Sequence, residues 1–311
     1  MPRASVDIGS NSLVFLVLGD QSEVLHDESR IVSLGRGLGD GGQFLPDRMA
    51  DAMDGFKAFA TTAASLGVNP TEIRAIATSA ARRASNATAF FSEVQSQTGI
   101  QVEVINGLEE ARLTWRGALY DLPKPEASFA VVDLGGGSTE IVVGSPGSET
   151  FAEQISLEIG TVRLTEMFFG PNLSTYTVDQ FNDMKAHIAA VVSEVDWTHL
   201  PKQMIAVAGT ATTLCAMELE MLKWDRDAIH GQTLTLSALE SWMLALLHSD
   251  PEQRQAWAAV SPKRANYLLA GAAVLHAVCE SSGLSAITIS DGGIRHGVLL
   301  DSSQNAQGQV R

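Results

Sequence analysis

Two short segments of this 311-residue chain carry the same reactive residue types at the same spacing. Val6-Asp7-Ile8-Gly9-Ser10-Asn11-Ser12 and Val132-Asp133-Leu134-Gly135-Gly136-Gly137-Ser138 share Asp, Gly and Ser, each pair 126 positions apart (7 to 133, 9 to 135, 12 to 138). Glycine and serine at a tight turn leave backbone N–H groups able to face an anion. The hydroxyls of Ser10, Ser12, Ser138 and Thr139 add donors, so each segment is a candidate phosphate cradle. Asp7 and Asp133 precede the two turns at identical positions. A hard cation such as Mg²⁺ is held by one or two carboxylates together with phosphate oxygens and water, which two such residues can supply. Either Asp could instead accept from its own turn.

Other constellations are weaker. Val104 to Leu113 runs from a strand through Asn106-Gly107 into a helix whose first turn holds Glu109 and Glu110. Carboxylates there are common partners of the helix dipole, and one of them could equally act as a general base. Arg82 and Arg83 follow a strand in an arginine-poor chain, as a phosphoryl grip or as a solvated pair. Gly209-Thr210-Ala211-Thr212-Thr213 opens a helix, and Ser290-Asp291-Gly292-Gly293-Ile294-Arg295 ends a strand; both could border a nucleotide or polymer groove, or be plain turns. Gly37 to Gly42 satisfies GxGxxG but lacks the acidic residue that motif requires downstream, and it reads as a flexible loop. The chain has no GxxxxGK[ST], GxSxG or HExxH motif, and its seven histidines are scattered, which removes zinc and serine-triad chemistry.

The elements that position these residues follow from periodicity. Each repeat is an apolar run, a polar tip and a second apolar run, Leu13 to Leu18 or Ile141 to Val143, which reads as a β-hairpin. Met49, Met53, Phe56, Ala60 and Ala63 recur at helical spacing between Pro46-Asp47 and Gly67, followed by a strand at Ile73 to Ala77 and a helix from about Ala87. The second half repeats the style, with a helical stripe of Phe181, Met184, Ile188, Val191 and Val195 before a strand at Met204 to Ala208. Ala265 to Cys279 reads as an apolar helix, and Ser302 to Arg311 as a frayed tail. The Pro-containing break at Leu122 to Glu126 divides the chain into domains 1–124 and 125–311.

Composition sets the outer limits. A chain of this length with 45% hydrophobic residues is large enough for two cores. A formal charge of −15 repels polyanions at long range, so broad binding to duplex nucleic acid is not expected, and an anionic substrate needs local donors or a metal. Cys215 and Cys279 match no metal spacing and read as packed small hydrophobes. The N-terminus lacks a signal-peptide run and the longest apolar stretch is too short to span a bilayer, so the expected location is a reducing cytoplasm without membrane association.

Taken together, Asp7 to Ser12, ATSAARRASN at 77 to 86, INGLEEARL at 105 to 113, DLGGGSTE at 133 to 140, GTVRLTE at 160 to 166, GTATTL at 209 to 214 and SDGGIRHGVLLD at 290 to 301 resemble the exopolyphosphatase / guanosine pentaphosphate phosphatase family. The matches are collinear over nearly the whole chain. The resemblance implies an α/β fold of two similar actin-like (ribonuclease H-like) domains with an interdomain active-site cleft. It assigns phosphate binding to Gly9, Ser10, Asn11, Ser12, Gly135, Gly136, Gly137, Ser138, Gly209 and Thr210, the catalytic base to Glu110, and the motif arginine to Arg82. Asp7, Asp133 and Glu140 become the metal-associated or water-orienting carboxylates, for Mg²⁺ or alternatively Mn²⁺. The implied reaction releases phosphate from inorganic polyphosphate or from guanosine pentaphosphate, the latter a link to the stringent response. The chain looks like a short form without the extra C-terminal helical domain of longer members, and it has His296 where members often have Glu. A homodimer is left open. Two rivals remain at this stage: a small-molecule kinase of the same fold, and a non-catalytic sensor of guanosine tetraphosphate or polyphosphate. The Glu109-Glu110 pair and the lack of an obvious sugar-binding insertion argue against the kinase, and the presence of Glu110 against the sensor.

Overall fold

Strand β1 (Arg3–Ile8) is buried on nearly every residue, as a central strand must be when both faces of a sheet are covered. A computed structural model describes residues 1–38, 42–148, 151–170, 175–259 and 261–300. Half of the GxGxxG-like segment, Gly39 to Gly41, and the tail from Ser302 lie outside the described residues.

The first hairpin pairs β1 with β2 (Ser12–Leu18), and β3 (Val24–Ile31) adds to β2. Next comes α1 (Pro46–Ser65), with Pro46 at its first turn and Gly67 left-handed just beyond its end. It is followed by β4 (Arg74–Ala77), α2 (Ser79–Arg83), α3 (Ala87–Thr98), β5 (Val102–Val104) and α4 (Gly107–Ala118). The five strands form one sheet in the order β3-β2-β1-β4-β5, with β1 antiparallel to β2 and parallel to β4. Phenylalanines dominate its core; Phe15 and Phe59 stack at 4.8 Å, and Phe44, Phe56, Phe90 and Phe91 are buried with them.

The second half opens with the repeated hairpin, β6 (Phe129–Leu134) and β7 (Thr139–Gly144), and continues with β8 (Glu153–Leu157), α5 (Thr161–Phe169), α6 (Val178–Val192), β9 (Met204–Val207) and α7 (Ala208–Glu218). After these come α8 (Arg226–Ile229), β10 (Thr233–Thr235), α9 (Leu236–Leu247), α10 (Pro251–Trp257), α11 (Leu268–Ser282), β11 (Ala286–Ile289) and α12 (Ile294–Leu300). The second sheet runs β10-β11-β9-β6-β7-β8. Read from β8 to β11 it repeats the first sheet strand for strand, with β10 added at the edge. The apolar helix expected from Ala265 starts at Leu268, because Pro262 initiates a short 3₁₀ turn through Tyr267. Val195 of the expected stripe falls past the end of α6. Cys215 and Cys279 are buried, and burial pushes their thiols up to about 11 and about 12, which makes both inert.

The chain resolves into two compact units whose division departs from the expected break at 124/125. Unit one contains Met1–Tyr120 and takes back the chain from Gly293, while unit two is Asp121–Gly292. The reason is α12, whose Ile294 and Val298 are buried with Ile76, Ile105 and Leu113, and whose Leu299 joins Leu16 and Leu18. Arg3 and Arg74 donate to the carbonyls of Leu299 and Val298 at 2.7 and 3.0 Å, satisfying acceptors that the end of a helix leaves open. Gly117 of α4 and Gly297 of α12 permit this approach: a Cβ on Gly297 would lie 1.9 Å from the Leu113 carbonyl oxygen. Among the described residues no helix is long and apolar enough to cross a membrane.

Candidate active site

In unit one, α4 starts after Asn106, whose side-chain oxygen accepts the Glu109 N–H at 2.9 Å, the cap that Asn-Gly announces. Helical phase then turns the two adjacent glutamates apart by about 100°. Glu109 pairs with Arg112, which donates from Nε and Nη2 at 2.8 and 2.7 Å. Glu110 turns inward and is buried, with Oε2 accepting from Arg82 Nη1 at 2.7 Å. The same arginine nitrogen donates to the Ile105 carbonyl at 3.0 Å, so Arg82 ties the start of α4 to the loop before it. The Thr78 side chain, buried just past β4, also favours the ionised form of Glu110. Burial nonetheless outweighs these donors and holds the Glu110 carboxyl above its ordinary value.

Asp7 lies in the same unit and is pushed up to about 7, first by burial and then by the negative Glu110, with Arg295 acting in the opposite sense. Its Oδ1 is shut off from solvent and has no hydrogen-bond partner. Arg295, at the start of α12, is itself held by Asp27 at 2.9 Å.

The two hairpin tips close identically. Gly9 N–H donates to Ser12 O at 3.0 Å, and Gly135 N–H donates to Ser138 O at 3.0 Å. Behind the first tip stands the loop that follows β3, with Ser33 at φ +50°: Val32 and Ser33 N–H reach Asn11 O at 3.0 and 2.9 Å, and Gly35 N–H reaches Ser10 O at 2.7 Å. The Asn11 side chain accepts from Ser33 Oγ at 3.0 Å. Behind the second tip stands the N-terminus of α5: Thr161 N–H donates to Gly135 O at 3.0 Å, and Val162 and Arg163 N–H to Gly136 O at 2.9 and 3.0 Å. Arg163 Nε adds a bond to Gly137 O at 2.8 Å. In a planar trans peptide the N–H opposes the preceding carbonyl. With three successive carbonyls turned to α5, the N–H groups of Gly136, Gly137 and Ser138 face the other way as a consecutive set of donors, the arrangement an anion requires.

Asp133 and Glu140 are directly opposite in the β6–β7 register, and Glu140 Oε1 accepts from Ser156 Oγ at 3.2 Å. Like charges opposite one another in a ladder repel, and a divalent cation relieves that repulsion. The Asp133–Glu140 pair in unit two, and separately the orphaned Oδ1 of Asp7 in unit one, are each oxygen donors of the kind a hard cation takes.

Gly209 and Thr210 lie in the first turn of α7, whose first residue, Ala208, is a non-glycine residue at φ +72°. Thr213 Oγ1 turns back to Gly209 O at 2.6 Å, so its hydroxyl serves the helix. A Cβ on Gly209 would lie 2.2 Å from Arg264 Cζ, which places that guanidinium against the helix start. Asp291 of the Ser290–Gly292 turn is buried, with Arg226 Nε 3.6 Å from its carboxylate and its N–H donating to His230 Nδ1 at 3.1 Å. Four residues that the sequence reading left out of the site thus touch its parts: Thr78, Arg163, Arg264 and Arg295. Arg163 was visible in GTVRLTE and Arg295 in SDGGIR, but only the fold shows what each holds.

Two repeated α/β sheets, each with a glycine-rich hairpin tip and an acidic residue beside it, define a duplicated α/β protein whose tips have the donor geometry of anion sites. Comparison with known proteins makes the class specific. Residues 14–306 match the model of the Ppx/GppA phosphatase family. Exopolyphosphatase 2 of Mycobacterium tuberculosis is 32% identical over 96% of this chain and 97% of its own length. The solved Ppx/GppA family member of Aquifex aeolicus is 31% identical, covers 100% of this chain and 99% of its own, and superposes with a TM-score of 0.78. An exopolyphosphatase from Cytophaga hutchinsonii is 26% identical over 96% of each chain, with a TM-score of 0.84. The chain belongs to the Ppx/GppA phosphatase family and is a phosphoric anhydride hydrolase.

Proposed function

We propose that the protein releases the terminal phosphate of inorganic polyphosphate, and of guanosine pentaphosphate, by direct attack of water, with Glu110 as general base. The observation that carries this reading is Glu110 itself: a buried carboxylate of raised pKa, oriented by Arg82 and Thr78. A base is most effective when its pKa approaches the working pH. As the water oxygen bonds to phosphorus, its proton passes to Glu110 and the anhydride P–O bond breaks, leaving the shortened chain with the electron pair. The Gly136, Gly137 and Ser138 N–H groups, and the matching tip at Gly9 to Ser12, supply donors to phosphoryl oxygens. Asp7, Asp133 and Glu140 would hold Mg²⁺, or Mn²⁺, which when bound neutralises phosphate charge. This reading places the protein in a reducing compartment, the cytoplasm, where hydrolysis of guanosine pentaphosphate bears on the stringent response.

The test measures phosphate release from polyphosphate and from guanosine pentaphosphate, with Mg²⁺ and with EDTA. Glu110→Gln should lower turnover about 10²–10⁴-fold while substrate still binds, and EDTA should abolish release. The ratio of the two wild-type rates names the preferred substrate. Unchanged turnover in Glu110→Gln would remove the base assignment, and metal-independent release would remove the cation.

A further inference from the structure

Nothing in the reaction itself requires Arg163, which lies one turn into the chain behind the second tip. It makes two contacts. Its Nε donates to Gly137 O at 2.8 Å, and its Nη2 pairs with Glu158 at 2.6 Å. Gly137 is the last peptide of the tip whose carbonyl can be turned toward α5. The N–H groups of Thr161, Val162 and Arg163 take the Gly135 and Gly136 carbonyls, and among the described residues no helix N–H takes that of Gly137. The guanidinium therefore fixes the peptide that aims the Ser138 N–H, and Glu158 fixes the guanidinium. Gly160 completes the seat: a Cβ there would lie 2.4 Å from the main chain of Gly136 and Gly137, so helix and tip are in direct contact.

We infer that Arg163 is a positioning residue for phosphate recognition: with Glu158 it locks the Gly137 peptide so that the Ser138 N–H faces the substrate. The inference rests on the reading of this tip as a phosphate cradle. Lysine cannot replace the arginine fully, because a point ammonium lacks the fork that bonds a carbonyl and a carboxylate at once.

The experiment compares wild type, Arg163→Ala and Arg163→Lys in phosphate release from polyphosphate with Mg²⁺, together with calorimetric binding of inorganic tripolyphosphate and thermal melting. Arg163→Ala should raise KM at least tenfold with kcat changed less than threefold. Guanidinium ion at millimolar concentration should restore part of the loss, and equal NaCl should not. Arg163→Lys should fall between the two. An unchanged KM and unchanged tripolyphosphate affinity in Arg163→Ala would overturn the inference. So would a loss that guanidinium leaves untouched in Arg163→Ala and that Arg163→Lys escapes while both melt alike. If the wild type releases no phosphate, the hydrolase reading fails by itself. Tripolyphosphate binding then decides the inference alone: tenfold weaker binding in Arg163→Ala supports it, and equal binding overturns it.

Discussion

The tips at Gly9 to Ser12 and Gly135 to Ser138 close with the same Gly-to-Ser bond, yet the first is backed by a non-helical loop and the second by a helix N-terminus. The carboxylates differ as well. In unit one the residue opposite Asp7 is Val14, whereas in unit two the residue opposite Asp133 is Glu140. Duplication has preserved the cradle and let its surroundings specialise. Unit one sets its Asp near the buried Glu110 and Arg295, and unit two has a second carboxylate and a helix N-terminus directed at its tip. A helix N-terminus carries roughly half a positive charge, which suits the phosphate role proposed for that tip in a protein of net charge −15.

Substitutions behind the tips test this contrast most strongly. Gly160→Ala forces a methyl to 2.4 Å from tip backbone, while Gly35→Ala meets Ser10 Cβ at 3.0 Å and Ser10 O at 3.2 Å, which a shift of a few tenths of an ångström relieves. Gly160→Ala should destabilise the protein by about 1–3 kcal/mol or more and raise KM by about tenfold, a factor equivalent to 1.4 kcal/mol. Gly35→Ala should do markedly less of both. Melting curves and steady-state kinetics on the pair check this, and equal effects would erase the distinction between the two supports.

The acid behind the first tip makes the next prediction. Because the Asp7 pKa is raised to about 7 from 3.8, the folded state binds a proton that the unfolded chain has released, and stability falls as pH rises between those values. Asp7→Asn removes that penalty. Its stabilisation relative to wild type in metal-free buffer should be absent below about pH 4, should grow by on the order of 2–3 kcal/mol between pH 5 and pH 8, and should then level off. Denaturation at a series of pH values measures it. A gain that does not depend on pH would contradict the assignment of the strain to ionised Asp7.

The smallest effect belongs to the neighbour of the base. Glu109→Gln loses a surface i,i+3 pair with Arg112 and should cost about 0.2–0.5 kcal/mol, with turnover within twofold of wild type. A collapse of activity comparable to that expected for Glu110→Gln would mean that the two glutamates share the chemistry.

Much of this was legible before folding. Equal spacing of Asp, Gly and Ser reported the duplication, and the two hairpins fall where the apolar runs end. The choice between the glutamates came from the family resemblance, and the helix agrees with it in phase: Glu109 shares a face with Arg112 and Arg116, and Glu110 shares one with Leu113, Thr114 and Gly117. What stayed hidden depends on long-range contact. No local pattern says that Ile294 to Leu300 returns to the first sheet, because its partners, Arg3, Arg74 and Leu16, lie more than two hundred positions away. The anchoring of Gly137 by Arg163 was hidden for a related reason, since hydrogen bonds to a carbonyl leave no trace in the identity of the accepting residue.

The return of α12 also orders events during synthesis. β1 leaves the ribosome before unit two, but the helix that covers its Asp7-bearing face emerges only after all of unit two. At about 5–20 residues per second, that face waits through the synthesis of the intervening 172 residues, Asp121–Gly292. The carboxylate on β1 thus reaches its final environment last, and a chain arrested within unit two would carry both tips without an assembled base site.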